Sequence, residues 1–221
     1  MVDGVVVPES LRLLITAEVA RELASTFGDQ MMFPDRIVVD RPGDLDRMFP
    51  DWPTPVLLIS VENQGVCAWG VPLSSPDPPV LVGGDLAVGV EDTTVLYANS
   101  VGAFVAARRW DRGCLGQEPL IQAQAAELDA PSLGILQEWY HQLPSTKGWP
   151  GAVQYRFERD GFRILLWSGP GQCDWWISSA RPHRLPGAVE QLMSLSDLRT
   201  SLWSNEASGE ALLDQIRGVA E

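Results

Sequence analysis

Lysine is nearly absent: Lys147 stands alone against fifteen arginines. That skew reads as coding bias rather than as a binding device. Basic residues of both kinds number 16 against 29 acidic ones, a formal net charge of −13. A surface of that sign repels phosphate backbones, which disfavours direct nucleic-acid binding; it serves solubility and suits a basic protein partner. Histidine is scarce too. His141 and His183 lie far apart in sequence, with no cysteine at ligand spacing from either, so no metal centre is expected. Cys67, Cys114 and Cys173 are odd in number and form no CxxC, which points to a reducing compartment rather than a disulfide scaffold. No uncharged apolar run approaches the roughly 18 residues of a membrane helix. The start, MVDGVVVPES, lacks the basic and long apolar regions of a signal peptide. A cytoplasmic location follows as the expectation. Phosphate-loop and nucleophile-elbow spacings are missing as well, so Gly83-Gly84-Asp85 and Gly169-Pro170-Gly171-Gln172 are read as turns, and no cofactor is expected.

What is present is a folding chain. Hydrophobic residues make up 45% of the 221 positions and tryptophan occurs nine times, enough for a sizeable core without staples. The most informative stretch is Val56 to Val82. Its Val56–Val61 run is too apolar for a surface strand. Glu62-Asn63-Gln64-Gly65 supplies residues that tolerate a tight turn, and Val66–Leu73 returns, with Pro72 at a strand end where no ladder donor is lost. A Pro-rich bend leads into Val80-Leu81-Val82. Upstream, Leu11, Leu14, Ile15, Val19 and Leu23 recur at helical spacing, predicting one amphipathic helix from Pro8 to about Phe27-Gly28. Between them lies a loop with an edge strand at 36–40 and a short helical turn near Gly43–Phe49. Downstream, Thr93–Tyr97 reads as a strand and Ser100 as the N-cap of a helix through Phe104, Val105 and Trp110. Arg108, Arg109 and Arg112 then fall near that helix's C-terminus, where cations are favoured by the dipole.

Gly113–Pro119 reads as a boundary, giving an α+β core over 1–115 and an extension over 116–221, the two together forming one domain or two. Leu120–Leu143 is rich in Ala, Gln, Leu and Glu, and is predicted as two helices split by Pro131. Ser145–Gly151 is read as loop. Arg159-Asp160-Gly161 joins strands Ala152–Glu158 and Phe162–Trp167, the strongest local hairpin signal in the chain. Val153, Tyr155 and Phe157 alternate with Gln154, Arg156 and Glu158, as in a strand with one face buried. Cys173–Ser179 is a further strand, on which Trp175 and Trp176 face opposite sides. Helices at Ala188–Met193 and 196–203 and a weak one in the acidic tail complete the extension.

Cys173, with Asp174 and His183, contains the residue types of a nucleophilic hydrolase. No motif surrounds it, and a free cysteine within a strand is usually a small buried hydrophobe. No catalytic residue is assigned. Trp167, Trp175 and Trp176 are core and rim or an interface anchor.

The order of the Pro8 helix, the strand–Glu62-Asn63-Gln64-Gly65–strand unit, Trp69-Gly70, Asp77-Pro78-Pro79-Val80 and the Ser100–Phe104 helix resembles the SUKH superfamily, the Smi/Knr-type group, over roughly residues 7–110. The stretch VENQGVCAWGVPL…PDPPVLV carries most of the likeness; Val7 and Leu11 replace the usual residues of the family's Leu-Pro-x-x-aromatic start. The resemblance implies an α+β fold with helices on a mixed or antiparallel sheet. It also implies no catalysis, and an immunity-type role in which the protein occludes the active site of a partner, here a basic toxin domain. Glu62, Asn63, Gln64 and Trp69 are its candidate partner-binding residues, expected at a hairpin tip or groove. The alternatives are a regulatory peptide- or small-molecule-binding module, and the Cys173-dependent hydrolase.

Overall fold

A computed structural model describes residues 5–24, 27–84, 94–149, 152–195 and 197–218. The chain forms two compact units: Met1–Arg112 with Thr146–Trp149, and Gly113–Ser145 with Pro150–Glu221. The first boundary falls three residues before the expected one. Both units are α+β and their sheets antiparallel.

In the first unit the predicted N-terminal helix is two, α1 (Glu9–Leu14) and α2 (Ala17–Ala24). Ile15 leaves helical geometry to bury its side chain completely, and Thr16 Oγ1 then accepts a bond from Val19 N at 3.3 Å to start α2. The sheet contains β1 (Gln30–Met31), β2 (Val39–Asp40), β3 (Val56–Val61), β4 (Cys67–Pro72), β5 (Val80–Gly84) and β6 (Val95–Ala98). Its order is β1-β3-β4-β5-β6, with β2 also on β3. Thr93 lies outside the described residues. Helix α3 (Val101–Leu115) follows, capped as expected: Ser100 Oγ accepts from Ala103 N at 3.1 Å.

Strand β3 is apolar apart from the buried Ser60 because both of its faces are covered. Leu57 and Ile59 join Leu11, Ile15, Trp69 and Phe104 in the main core. Val56 and Leu58 instead pack with Phe49, Ala68 and Leu81. That second cover comes from residues 41–52, which form turns and bends instead of the expected helical turn. Asp40 organises them: its carboxylate accepts from Arg47 Nε at 2.6 Å, Met48 N at 2.7 Å and Phe49 N at 3.0 Å. The cover sits so close that a methyl group on Gly83 would overlap the Met48 carbonyl oxygen, so glycine is needed there for space.

The second unit holds β7 (Leu120–Ala125), α4 (Ala130–Trp139), β8 (His141–Lys147), whose last two residues belong to the first unit, β9 (Val153–Arg159), β10 (Phe162–Gly169) and β11 (Gln172–Ser179). A 3₁₀ turn at Pro182–Arg184, α5 (Leu185–Leu192), α6 (Leu198–Ser201), β12 (Leu202–Trp203) and α7 (Ala207–Gly218) complete it. Strand order is β12-β7-β11-β10-β9-β8. Helix was predicted over Leu120–Ala125, yet the segment is a strand: Ile121, Ala123 and Ala125 are buried against half-buried Gln122 and exposed Gln124. Pairing along β11 overrides the helical preference of Ala and Gln. Pro131 starts α4 rather than splitting two helices, behind an Asp129 cap whose Oδ1 accepts from Ser132 N at 2.7 Å. His141–Lys147, predicted as helix end and loop, is also a strand. The Asp160-Gly161 hairpin is as expected, with φ of 53° and 90° at its two central residues. One expectation about β9 fails, because Gln154 and Arg156 are each only 1% exposed and the polar side of that strand is buried as well. Trp175 anchors the core with Phe157, Ile164, Leu166 and Ile177.

Candidate functional site

The four sequence-nominated residues sit on the β3–β4 hairpin, and the structure divides them. Asn63 and Gln64 are exposed at its tip. Glu62 and Trp69, expected there or in a groove, are buried at 8% and 1% exposure and present no contact surface. Trp69 faces the core because its strand is covered on both sides, and its ring meets Tyr97 edge-on at 5.9 Å.

Below the tip lies a charged cluster that spacing alone did not reveal. Arg108 belongs to the buried stripe of α3 with Val101, Phe104 and Val105, at only 3% exposure. It is therefore no solvated C-terminal cation. Its guanidinium lies 4.3 Å from the Trp69 ring centroid and 5.0 Å from that of Phe27. Its Nη2 stands 3.0 Å from Asp29 Oδ2, but off hydrogen-bond geometry, so the contact is mainly Coulombic. Burial pushes the Asp29 carboxyl above its ordinary range, an effect Arg108 partly offsets. The signal for Arg108 was in the sequence: it falls four positions after Phe104 and seven after Val101, on the apolar face. Arg109 and Arg112, by contrast, reach Glu22 at 2.9 and 3.6 Å from exposed positions.

This cluster braces the hairpin. Glu62 accepts from Gln64 N at 2.7 Å, and Gly65 N donates to the Glu62 carbonyl at 2.9 Å. Asn63 Nδ2 donates to the Phe27 carbonyl at 3.3 Å, fixing the tip to the segment that carries Asp29. Gly65 has φ of 78°, the left-handed conformation that closes the turn. The result is an exposed carboxamide pair on a locally tethered loop.

The Cys173 arrangement does not acquire catalytic geometry. Cys173 is fully buried in the second unit's core, where burial above all raises its thiol pKa to about 12. The Asp174 side chain projects from the opposite face of the strand, and His183 is exposed in the 3₁₀ turn. Cys67 and Cys114 are buried too. A chromogenic disulfide reagent should thus find no fast-reacting thiol in native protein and all three cysteines in denaturant; one fast native thiol would restore the hydrolase reading. Among the described residues no group of three His, Cys, Asp or Glu could hold a metal ion. None of their helices is long and apolar enough to cross a membrane. Compared with known proteins, the chain matches no family model, no curated protein and no solved structure.

Proposed function

We propose that this protein is a non-enzymatic binding module that captures a basic protein partner through the Asn63–Gln64 hairpin tip, as an immunity protein captures a toxin domain. The observation that supports this reading is the tethered tip itself. The loop is held by the Asn63 Nδ2 bond to the Phe27 carbonyl and by Glu62, which accepts from the backbone N of Gln64, so little backbone ordering entropy is lost when a partner docks. A net charge of −13 accelerates encounter with a cationic partner and disfavours acidic ones. The test is affinity capture from the native host. Wild-type protein should retain a basic, nuclease- or deaminase-like protein and block its activity, while Asn63→Ala/Gln64→Ala retains at least tenfold less and still unfolds cooperatively. Equal capture by the double variant, or a captured protein without activity to inhibit, sinks it.

A second reading rests on a groove in the first unit. It has a volume of about 480 Å³ and an apolar lining that includes Val5, Val7, Ile15, Phe33 and Ile37, with Arg12 at its edge. That size and composition suit a small amphipathic carboxylate, the ligand of a regulatory module. Competition between such a ligand and the partner would favour it.

A further inference from the structure

We infer a second interaction surface, in the other unit: the open part of its sheet around Trp176 and Asp174 docks an arginine-bearing segment of a protein partner. Register places its residues on one face. Trp203 pairs with Gln122 and Gln122 with Trp176, so these three stand in a row across β12, β7 and β11. Asp174, two positions before Trp176, points the same way and pairs with Gln124 and with Trp167. Trp167 and Trp176 are in contact, with ring centroids 4.4 Å apart. Trp203 is 41% exposed, and Trp167, Trp176 and Asp174 are each partly exposed.

The chemistry of the patch is that of a cation site. The Asp174 carboxylate is oriented by two amides, Gln124 Nε2 at 3.1 Å and Gln172 Nε2 at 3.1 Å, yet meets no cation among the described residues. Beside it stand indole rings, whose faces attract guanidinium. The first unit contains a filled version of the same set, in which Arg108 lies 4.3 Å from Trp69 and 3.0 Å from Asp29. In the second unit Arg156 shares the face of Trp176, in register with it through Leu165, but it is buried at 1% exposure and forms no ion pair with Asp174, so the cation for that carboxylate has to come from outside. The charge of the set, on a chain of net −13, selects a cationic occupant over an acidic or neutral one. This surface is independent of Asn63 and Gln64, and it holds or fails without the hairpin reading.

The probe is a synthetic Arg-Gly repeat peptide, titrated calorimetrically into the full chain, with a Glu-Gly repeat and a neutral oligosaccharide as comparisons. Wild type should bind the Arg-Gly peptide alone. Asp174→Asn keeps an acceptor for the two glutamines and removes the charge; it should weaken binding about fivefold. Trp203→Ala, on a two-residue edge strand, provides a second variant should the first misfold, and should cost about threefold. Asp160→Asn, a distant exposed charge control, and Asn63→Ala/Gln64→Ala should bind as wild type does. The inference is overturned by an absence of peptide binding, by an equal loss in Asp160→Asn, which signals diffuse attraction only, or by preference for the oligosaccharide, which makes the patch a sugar platform.

Discussion

Replacing Arg108 with alanine is expected to lower the unfolding free energy of the first unit by roughly 3–5 kcal/mol, the range for removing one partner of a buried ion pair. Asp29 and Glu62 would be left as neighbouring acids at 6% and 8% exposure without their cation, and the Trp69 ring would lose the group stacked on it. Urea unfolding followed by tryptophan fluorescence measures this directly. The pH dependence supplies a sharper signature. An acid whose folded pKa is raised favours the native state below its ordinary range and loses that contribution as pH rises through the raised value. Asp29 is such an acid, and without Arg108 only the backbone bond from Asn63 is left to offset its desolvation. The deficit of Arg108→Ala should therefore be largest at neutral pH and shrink in mild acid. Adding Asp29→Asn should recover much of the loss at pH 7 and flatten the profile. A deficit under about 1 kcal/mol, or one independent of pH, would mean that the pair does not hold the hairpin base.

The second large effect is expected at Asp40. Asp40→Ala removes three bonds to a buried carboxylate, from Arg47, Met48 and Phe49, and should cost roughly 3 kcal/mol. The consequence is local before it is global. Residues 41–52 cover Val56, Leu58 and Leu81, so their release exposes one face of the first sheet. Limited trypsin digestion should cut after Arg47 far faster than in wild type, while sites in the second unit stay at their wild-type rate. Asp40→Asn keeps an acceptor oxygen and should fall between the two. Uniform cleavage in both units would argue that Asp40 holds no separate cover.

Near-neighbour chemistry made much of the fold legible. The Glu62–Gly65 and Asp160-Gly161 turns, the flanking strands and the Ser100 cap each follow from residues a few positions apart, whose backbone preferences act before any core exists. The failures share a cause. Leu120–Ala125 has helical composition, but its β11 partner begins some fifty positions later. Ile15 breaks a helix whose spacing is unbroken, because a core position captures it. The candidate site divides in the same way. Asn63 and Gln64 could be placed at a tip from turn chemistry, whereas burial of Trp69 depends on the helices packed on its face of the sheet, with Phe104 and Arg108 of α3 against the ring.

By itself, then, the sequence determined composition, charge, the two tight hairpins and the α+β class, since these depend on residue type and short spacing. Tertiary structure alone decided which charges went inside. Arg108 has a surface cation's place near a helix end, although its spacing sets it on the apolar face, and it is stable inside because Trp69, Phe27 and Asp29, distant in the chain, converge around its guanidinium and replace the water it gives up.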